Sequence, residues 1–210
     1  GFDDCPSLDL WADYLSQAEI FGFDLCDFSG YRRPRVAVYQ VDQGDRRSLG
    51  EIAAGCGGAF DLIVDDGSHA SHHQQISLGV LFPFLNPGGW YVIEDLHFQP
   101  AAIERPERAK TRELLRRLEA SGSFGEMPYW FTPEEAARLE QETQTISFFD
   151  SLARFAPEGT FAGRDALVAL QRRPTAVGPL ENNVCALARR VRSLLGRLSG
   201  DGFSWWAGRP

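Results

Sequence analysis

The chain has 210 residues and 43% hydrophobic content, enough to bury one full core as a single domain. Its formal net charge of −8 argues against a nucleic-acid footprint. With no signal-peptide pattern and no run of about 18 apolar residues, a soluble protein is expected. Four scattered cysteines, Cys5, Cys26, Cys56 and Cys185, form no C-x-x-C pair and read as free thiols of a reducing cytoplasm.

In chain order, Ser7 to Leu15 reads as a short amphipathic helix capped by Ser7. Ala18 to Asp24 reads as a strand ending in an acid, the place where a ribose-binding carboxylate sits in nucleotide-binding α/β folds. A third element, Arg35 to Val41, is expected as a strand. Asp42-Gln43-Gly44-Asp45 and a helix over Arg46 to Ala54 follow it.

The stretch from Phe60 to His97 carries most of the signal. Leu62-Ile63-Val64 and Trp90-Tyr91-Val92-Ile93 are too short for helices and are bounded by turn residues, so they read as buried parallel strands. Between them, Ser71 and Gln74 match a capping box. Ile76, Val80 and Phe84 then recur at helical spacing until Asn86-Pro87-Gly88-Gly89. A strand–helix–strand unit places both strand ends, Asp65-Asp66 and Glu94-Asp95, on one rim of the sheet, where open α/β folds bind ligands. Carboxylates gathered there repel one another unless a cation lies among them. An all-oxygen set suits a hard ion such as Mg²⁺.

Beyond the rim, Glu104 to Ala120 is expected as a charged helix with Leu114, Leu115 and Leu118 as its apolar stripe. Pro128-Tyr129-Trp130-Phe131 is an aromatic loop, readable as a substrate-side wall or as core and lid packing. Thr132-Pro133-Glu134-Glu135 is a capping box with Pro at the first helical position. Thr145 to Phe149 and Ala166 to Leu170 are expected to pair as an antiparallel hairpin at a sheet edge. His72 and His73 read as surface or supporting residues. The expected division is a domain over 1–173 and a tail over 174–210. The tail carries one amphipathic helix, Asn183 to Leu198, suited to docking or dimerisation, so a homo-oligomer is expected.

The residues D-Q-x-D, DLIVDDGSH and GGWYVIEDLH, in that order, resemble class I S-adenosylmethionine (SAM)-dependent methyltransferases. Within these they look like the Mg²⁺-dependent sugar O-methyltransferases of the macrocin and mycinamicin type. Asp66 and Glu94 stand 28 residues apart, the interval that such a family implies. The resemblance implies a Rossmann-like α/β fold, a mainly parallel sheet with an antiparallel edge hairpin and helices on both faces. It implies Asp66, Glu94 and Asp95 as metal ligands, His69 as general base, and Asp24 as the ribose ligand. Asp42 and Gln43 would lie on the adenine side, with Ser7 and Asp65 near the methionine end of the cofactor.

The acceptor implied is a sugar hydroxyl of a glycosylated secondary metabolite, with no nucleic acid or membrane as partner. The chain departs from the family at its start. Cys5 and Pro6 stand where small glycines let the backbone approach the cofactor, and Val41 stands where Gly is expected. A strand preceding Gly1 is expected to complete the sheet, the other explanation being an altered cofactor pocket. The alternative reading is a non-catalytic homologue that binds or scaffolds. It is favoured by the altered glycine turn and opposed by the complete Asp66, His69, Glu94 and Asp95 set. A third reading, an iron oxygenase using Asp66, His69 and His73, leaves Glu94 and Asp95 unexplained.

Overall fold

A computed structural model describes residues 4–150 and 165–174. The expected tail helix and Cys185 lie outside the described residues. The elements run α1 (Pro6–Tyr14), β1 (Ile20–Asp24), β2 (Val36–Gln40), α2 (Arg46–Gly55), β3 (Phe60–Asp65), α3 (Ser71–Leu81) and β4 (Leu85–Ile93). Then follow α4 (Thr111–Ser121), α5 (Pro133–Glu142), β5 (Thr143–Phe149) and β6 (Leu167–Arg172).

Strands β1 and β2 pair in parallel. A second sheet has the order β3-β4-β6-β5, with β3 and β4 parallel and β6 antiparallel to both β4 and β5. The late hairpin expected from the sequence is therefore present at the sheet edge. The two sheets meet through an edge-on contact of Phe21 and Phe60, with ring centroids 5.9 Å apart. This is a Rossmann-like α/β fold. Among the described residues, β1 and β3 are each hydrogen-bonded to a strand on one side only.

Helix α3 is the centre of the molecule. A single apolar stripe is expected from Ile76, Val80 and Phe84, yet nine of its eleven residues are buried, polar ones included. Buried polar groups need partners, and several on α3 find them, while Ser71 Oγ, Gln74 Oε1 and Gln75 Oε1 are buried without one. Gln74 Nε2 donates to the Glu94 carbonyl (3.3 Å), Gln75 Nε2 to the Ala109 carbonyl (3.0 Å), and Ser77 Oγ to Asp65. Gly79 lets α5 approach, since a Cβ there would stand 2.7 Å from Glu135 Oε2. The core around it gathers Leu78, Phe82, Tyr91, Ile93, Leu115, Leu139 and Leu170.

Several boundaries differ from expectation for physical reasons. Helix α1 starts at Pro6, and Cys5 occupies the cap position, so Ser7 lies in the first turn rather than at the cap. The Ser71–Gln74 capping box does not form: Ala70 is the cap residue, and the Ser71 N–H donates to Glu104 Oε2 at 2.8 Å. A carboxylate from elsewhere thus satisfies the helix N-terminus and complements its dipole.

Helix α3 ends at Leu81 in a short 3₁₀ turn over Phe82–Phe84, and Asn86-Pro87-Gly88-Gly89 belongs to β4 as an irregularity. Gly89 is required there, because a Cβ would come within 2.9 Å of the Asn86 carbonyl and 3.1 Å of the Asp61 carbonyl. The helix expected from Glu104 begins only at Thr111. Pro106 disfavours helical backbone at Arg105, and Glu104 is held by α3 instead. The Thr132–Glu135 capping box forms as expected.

Candidate active site

The end of β3 is built around a buried acid. Asp65 is 7% exposed and accepts hydrogen bonds from Gln43 Nε2 (2.7 Å), Ser77 Oγ (2.5 Å) and the Tyr91 hydroxyl (3.2 Å). Burial pushes its carboxyl up, and these hydrogen bonds with the Gly67 N–H pull it back. Both Asp65 oxygens are thus committed to the protein, making it a support for the loop that follows.

Gln43 ties this loop from the other side. Its Nε2 also reaches Ser77 Oγ at 3.2 Å, while its Oε1 accepts the Ser68 N–H at 3.0 Å. Gly67 makes room for that amide, as a Cβ there would stand 2.5 Å from Gln43 Oε1. Ser68 Oγ is 2.7 Å from His73 Nδ1. His72 is buried, stacking on His73 at 4.1 Å and on Trp130 at 5.4 Å. Neither histidine is a plain surface residue. Burial lowers both pKa values.

The loop held this way presents Asp66 and His69. One donor atom from each of Asp66, His69 and Asp95 lies within 4.8 Å of the others. His69 Nε2 is 3.9 Å from Asp95 Oδ2, and His97 Nδ1 is 3.9 Å from Asp95 Oδ1. His69 Nδ1 is buried without a hydrogen-bond partner. Asp66 opens to the surface, yet the protein around it withholds much of its hydration. Its carboxyl is raised to about 6 by that lost hydration first; nearby His69 opposes the rise, while Asp95 and Asp65 add to it.

Glu94 stands beside the three without joining them. It is pushed up to about 8, by burial first and then by the charges of Asp66, Asp95 and Asp65. Carboxylates crowded this way are the electrostatic condition for a hard divalent cation. The donor set fits Mg²⁺, with Asp66 and Asp95 in place and Glu94 within electrostatic reach.

The remaining expected residues are spread around this centre. Asp24 ends β1 and is exposed, and its Oδ1 accepts the Cys26 N–H at 2.7 Å. Asp42 accepts the Gly44 N–H at 2.8 Å. Ser7 is exposed in the first turn of α1, 3.9 Å from Cys5 Sγ. None of these belongs to the three-residue cluster. His73, which an iron-oxygenase set would need, faces Ser68 rather than Asp66.

The aromatic loop divides its work. Phe131 is buried against Phe124 at 5.5 Å, Trp130 covers His72, and Tyr129 is exposed beneath the Arg108 guanidinium at 3.7 Å. Sequence reasoning missed the supporting roles of Ser77, Tyr91 and Glu104. Only Ser77 carried a local signal, a hydroxyl one turn after His73.

No family model matches the chain. It is 43% identical over 100 residues to the 8-demethyl-8-alpha-L-rhamnosyl tetracenomycin-C 2'-O-methyltransferase of Streptomyces olivaceus, covering 46% of this chain and 26% of that protein. It is 37% identical over 137 residues to the 3'-O-methyltransferase acting on the 2-methoxy-rhamnosyl tetracenomycin-C of the same organism, covering 62% of this chain and 34% of that one.

Among solved structures, the MycE methyltransferase from the mycinamycin biosynthetic pathway, in complex with Mg and SAH, superposes with a TM-score of 0.61 at 25% identity. That match covers 94% of this chain and 46% of the MycE chain. The chain thus spans less than half the length of the relatives it matches. The resemblance to SAM-dependent sugar O-methyltransferases read from the motifs holds.

Proposed function

We propose that this chain forms the cofactor- and metal-binding part of a Mg²⁺- and SAM-dependent O-methyltransferase. Its acceptor is a sugar hydroxyl of a glycosylated natural product. The observation that carries this reading is the convergence of Asp66, His69 and Asp95, with Glu94 beside them, at the carboxyl ends of β3 and β4. A binding-only homologue has no use for such a set.

Asp66, Glu94 and Asp95 would hold the cation. Asp24, Ser7 and Asp42 would face the cofactor side, and Gln43 and Asp65, paired to each other, would brace the loop that carries Asp66. When bound, SAM supplies an activated methyl and Mg²⁺ a Lewis acid that lowers the hydroxyl pKa. His69 Nε2, 3.9 Å from Asp95 Oδ2, would be the acceptor for the hydroxyl proton. The hydroxyl would give its proton to His69 Nε2 and its freed electron pair to the SAM methyl, whose bond to sulfur breaks to release S-adenosylhomocysteine, and Asp95 at 3.9 Å would stabilise the imidazolium so formed.

The 1–173 segment acts as one domain in this reading, the 174–210 tail as a docking element, and the protein as a cytoplasmic homo-oligomer. Among the described residues no helix is long and apolar enough to cross a membrane. The test is methyl transfer from isotopically labelled SAM to rhamnosylated acceptors, with Mg²⁺ and with EDTA. Undiminished transfer in EDTA would refute the metal assignment. Absence of transfer under every condition would refute the enzyme.

A further inference from the structure

The loop that carries His69 is held from two ends. At its start, Asp65 takes the Gly67 N–H and Gln43 Oε1 takes the Ser68 N–H. At its far end the hold is a pair of side chains, Ser68 and His73. Ser68 Oγ accepts the Ala70 N–H at 3.3 Å, closing a short ring across His69. The same oxygen lies 2.7 Å from His73 Nδ1. His69, between Ser68 and Ala70, has φ of 57°, a backbone that a non-glycine residue keeps only where its surroundings over-determine it.

The ring of His73 is itself held in place. It belongs to the first turn of α3 and stacks on His72 with centroids 4.1 Å apart, and His72 packs in turn on Trp130 at 5.4 Å. Beyond the other ring nitrogen lies the turn after β2. A Cβ at Gly44 would stand 3.1 Å from His73 Nε2 and 3.3 Å from Asp42 Oδ1, so glycine there lets the turn close on the imidazole. Burial lowers the pKa of His73, which favours the uncharged ring with one nitrogen able to accept. His73 thus joins the loop of the base, the start of α3 and the turn that carries Asp42, while standing outside the cluster of Asp66, His69 and Asp95.

Resting on the methyltransferase reading above, we propose that His73 is a positioning residue that acts through Ser68 on His69. The Ser68 hydroxyl donates to Nδ1 of a neutral His73 and accepts from Ala70. This clamp fixes the strained turn from which His69 Nε2 faces Asp95 at 3.9 Å. Proton abstraction depends steeply on geometry, and a displacement of about 1 Å costs on the order of 10²-fold in rate. Without the clamp, His69 relaxes toward ordinary backbone and its ring leaves the acceptor hydroxyl. Asp66 keeps its place, because Asp65 and Gln43 hold its end of the loop by separate bonds.

The experiment compares wild type with Ser68→Ala, His73→Phe and His73→Asn. His73→Phe keeps a ring against His72 and removes the acceptor, whereas His73→Asn sets an amide oxygen near the place of Nδ1. Hydrogen exchange over residues 66–70 in ligand-free protein reads the clamp. Methyl transfer from SAM to p-nitrophenyl α-L-rhamnopyranoside with Mg²⁺ reads its consequence. Ser68→Ala and His73→Phe are expected to exchange faster in this loop and to lose about tenfold to hundredfold in kcat, with KM and the Mg²⁺-induced thermal shift little changed. His73→Asn is expected to recover most of both losses. Unchanged exchange, or faster exchange at full kcat, would overturn the proposal. So would a raised KM at full kcat, which assigns His73 to acceptor binding. Loss of the Mg²⁺ shift together with kcat would make His73 a support for the whole loop and overturn it as well. A wild type that transfers no methyl removes the methyltransferase reading itself, and this inference with it. An active wild type matched by all three variants removes this inference alone.

Discussion

His69 and Asp95 both adopt left-handed backbone, at φ of 57° and 51°, and their side chains face each other with Nε2 3.9 Å from Oδ2. Such backbone costs a non-glycine residue on the order of 1–3 kcal/mol, and glycine would relieve it. The chain instead keeps an imidazole and a carboxylate at the two strained positions. From those positions each side chain brings one donor atom within 4.8 Å of an Asp66 oxygen.

The first prediction concerns the cation. In the proposed function Mg²⁺ would bind only the folded cluster, so saturating metal should raise the thermal midpoint, by about 2.7 kcal/mol of stability at a hundredfold excess over Kd. Asp66→Asn and Asp95→Asn should lose that shift while remaining folded. Calorimetry with and without Mg²⁺ checks it; a full shift in either variant would take that residue out of the ligand set.

The second separates base from ligand. His69→Ala should lower kcat roughly 10²- to 10⁴-fold and leave the Mg²⁺-induced thermal shift intact, because magnesium prefers oxygen donors. Recovery of turnover on raising Mg²⁺ alone would make His69 a ligand instead.

A third concerns Gln43, read from the sequence as an adenine-side residue and found clamping Asp65 and Ser68. Removing its amide strands a buried carboxylate oxygen and a backbone N–H, each worth about 1–3 kcal/mol. Gln43→Ala should therefore lower the thermal midpoint in the absence of any ligand. An unchanged ligand-free midpoint, paired with weakened SAM binding, would return Gln43 to the cofactor alone.

The fourth is a pH dependence. The pKa of His72 is lowered by burial and then by the nearby His73 and Arg105, while Glu104 and Asp42 oppose the shift. A depressed folded-state value means that the unfolded chain, at about 6.5, takes up the proton first. The contribution is therefore fully present above about pH 6.5 and is lost as pH falls through the folded value. His72→Phe keeps a ring against Trp130 and removes the proton site. In EDTA, urea midpoints measured from pH 8 to 5 should fall less steeply for the variant. Identical acid limbs would show that His72 titrates alike in both states.

The parallel unit of β3, α3 and β4 was legible because short apolar runs between turn residues leave few alternatives, and the acids at their ends follow from it. The DDGSH and IEDLH motifs located the cluster for the same local reason. What stayed hidden was long-range. Glu104 caps α3 from 33 residues away, and nothing near Ser71 announces it, while Ser71 and Gln74 offered a plausible local substitute. The roles of Gln74, Gln75 and Ser77 stayed hidden likewise, because each finds a partner on another element. Asn86 to Gly89 read as a helix stop, but the close approach that Gly89 permits is visible only once β3 lies alongside.

The segment from Leu96 to Lys110 is tied to the rest at separate points, and its first residue is buried in the core with its N–H donating to the Ala166 carbonyl at 2.9 Å. Asp95 begins it, Glu104 grips the start of α3, the Ala109 carbonyl receives Gln75, and just beyond it Thr111 Oγ1 reaches the Ser71 carbonyl at 3.0 Å. Between those staples lie Phe98 and Ile103, both exposed. Such an arrangement is modular: residues between the staples can be exchanged, lengthened or shuffled while the metal cluster keeps its geometry. A segment transplanted between the staples that preserves Glu104 and Thr111 should therefore leave the proposed Mg²⁺-induced thermal shift unchanged.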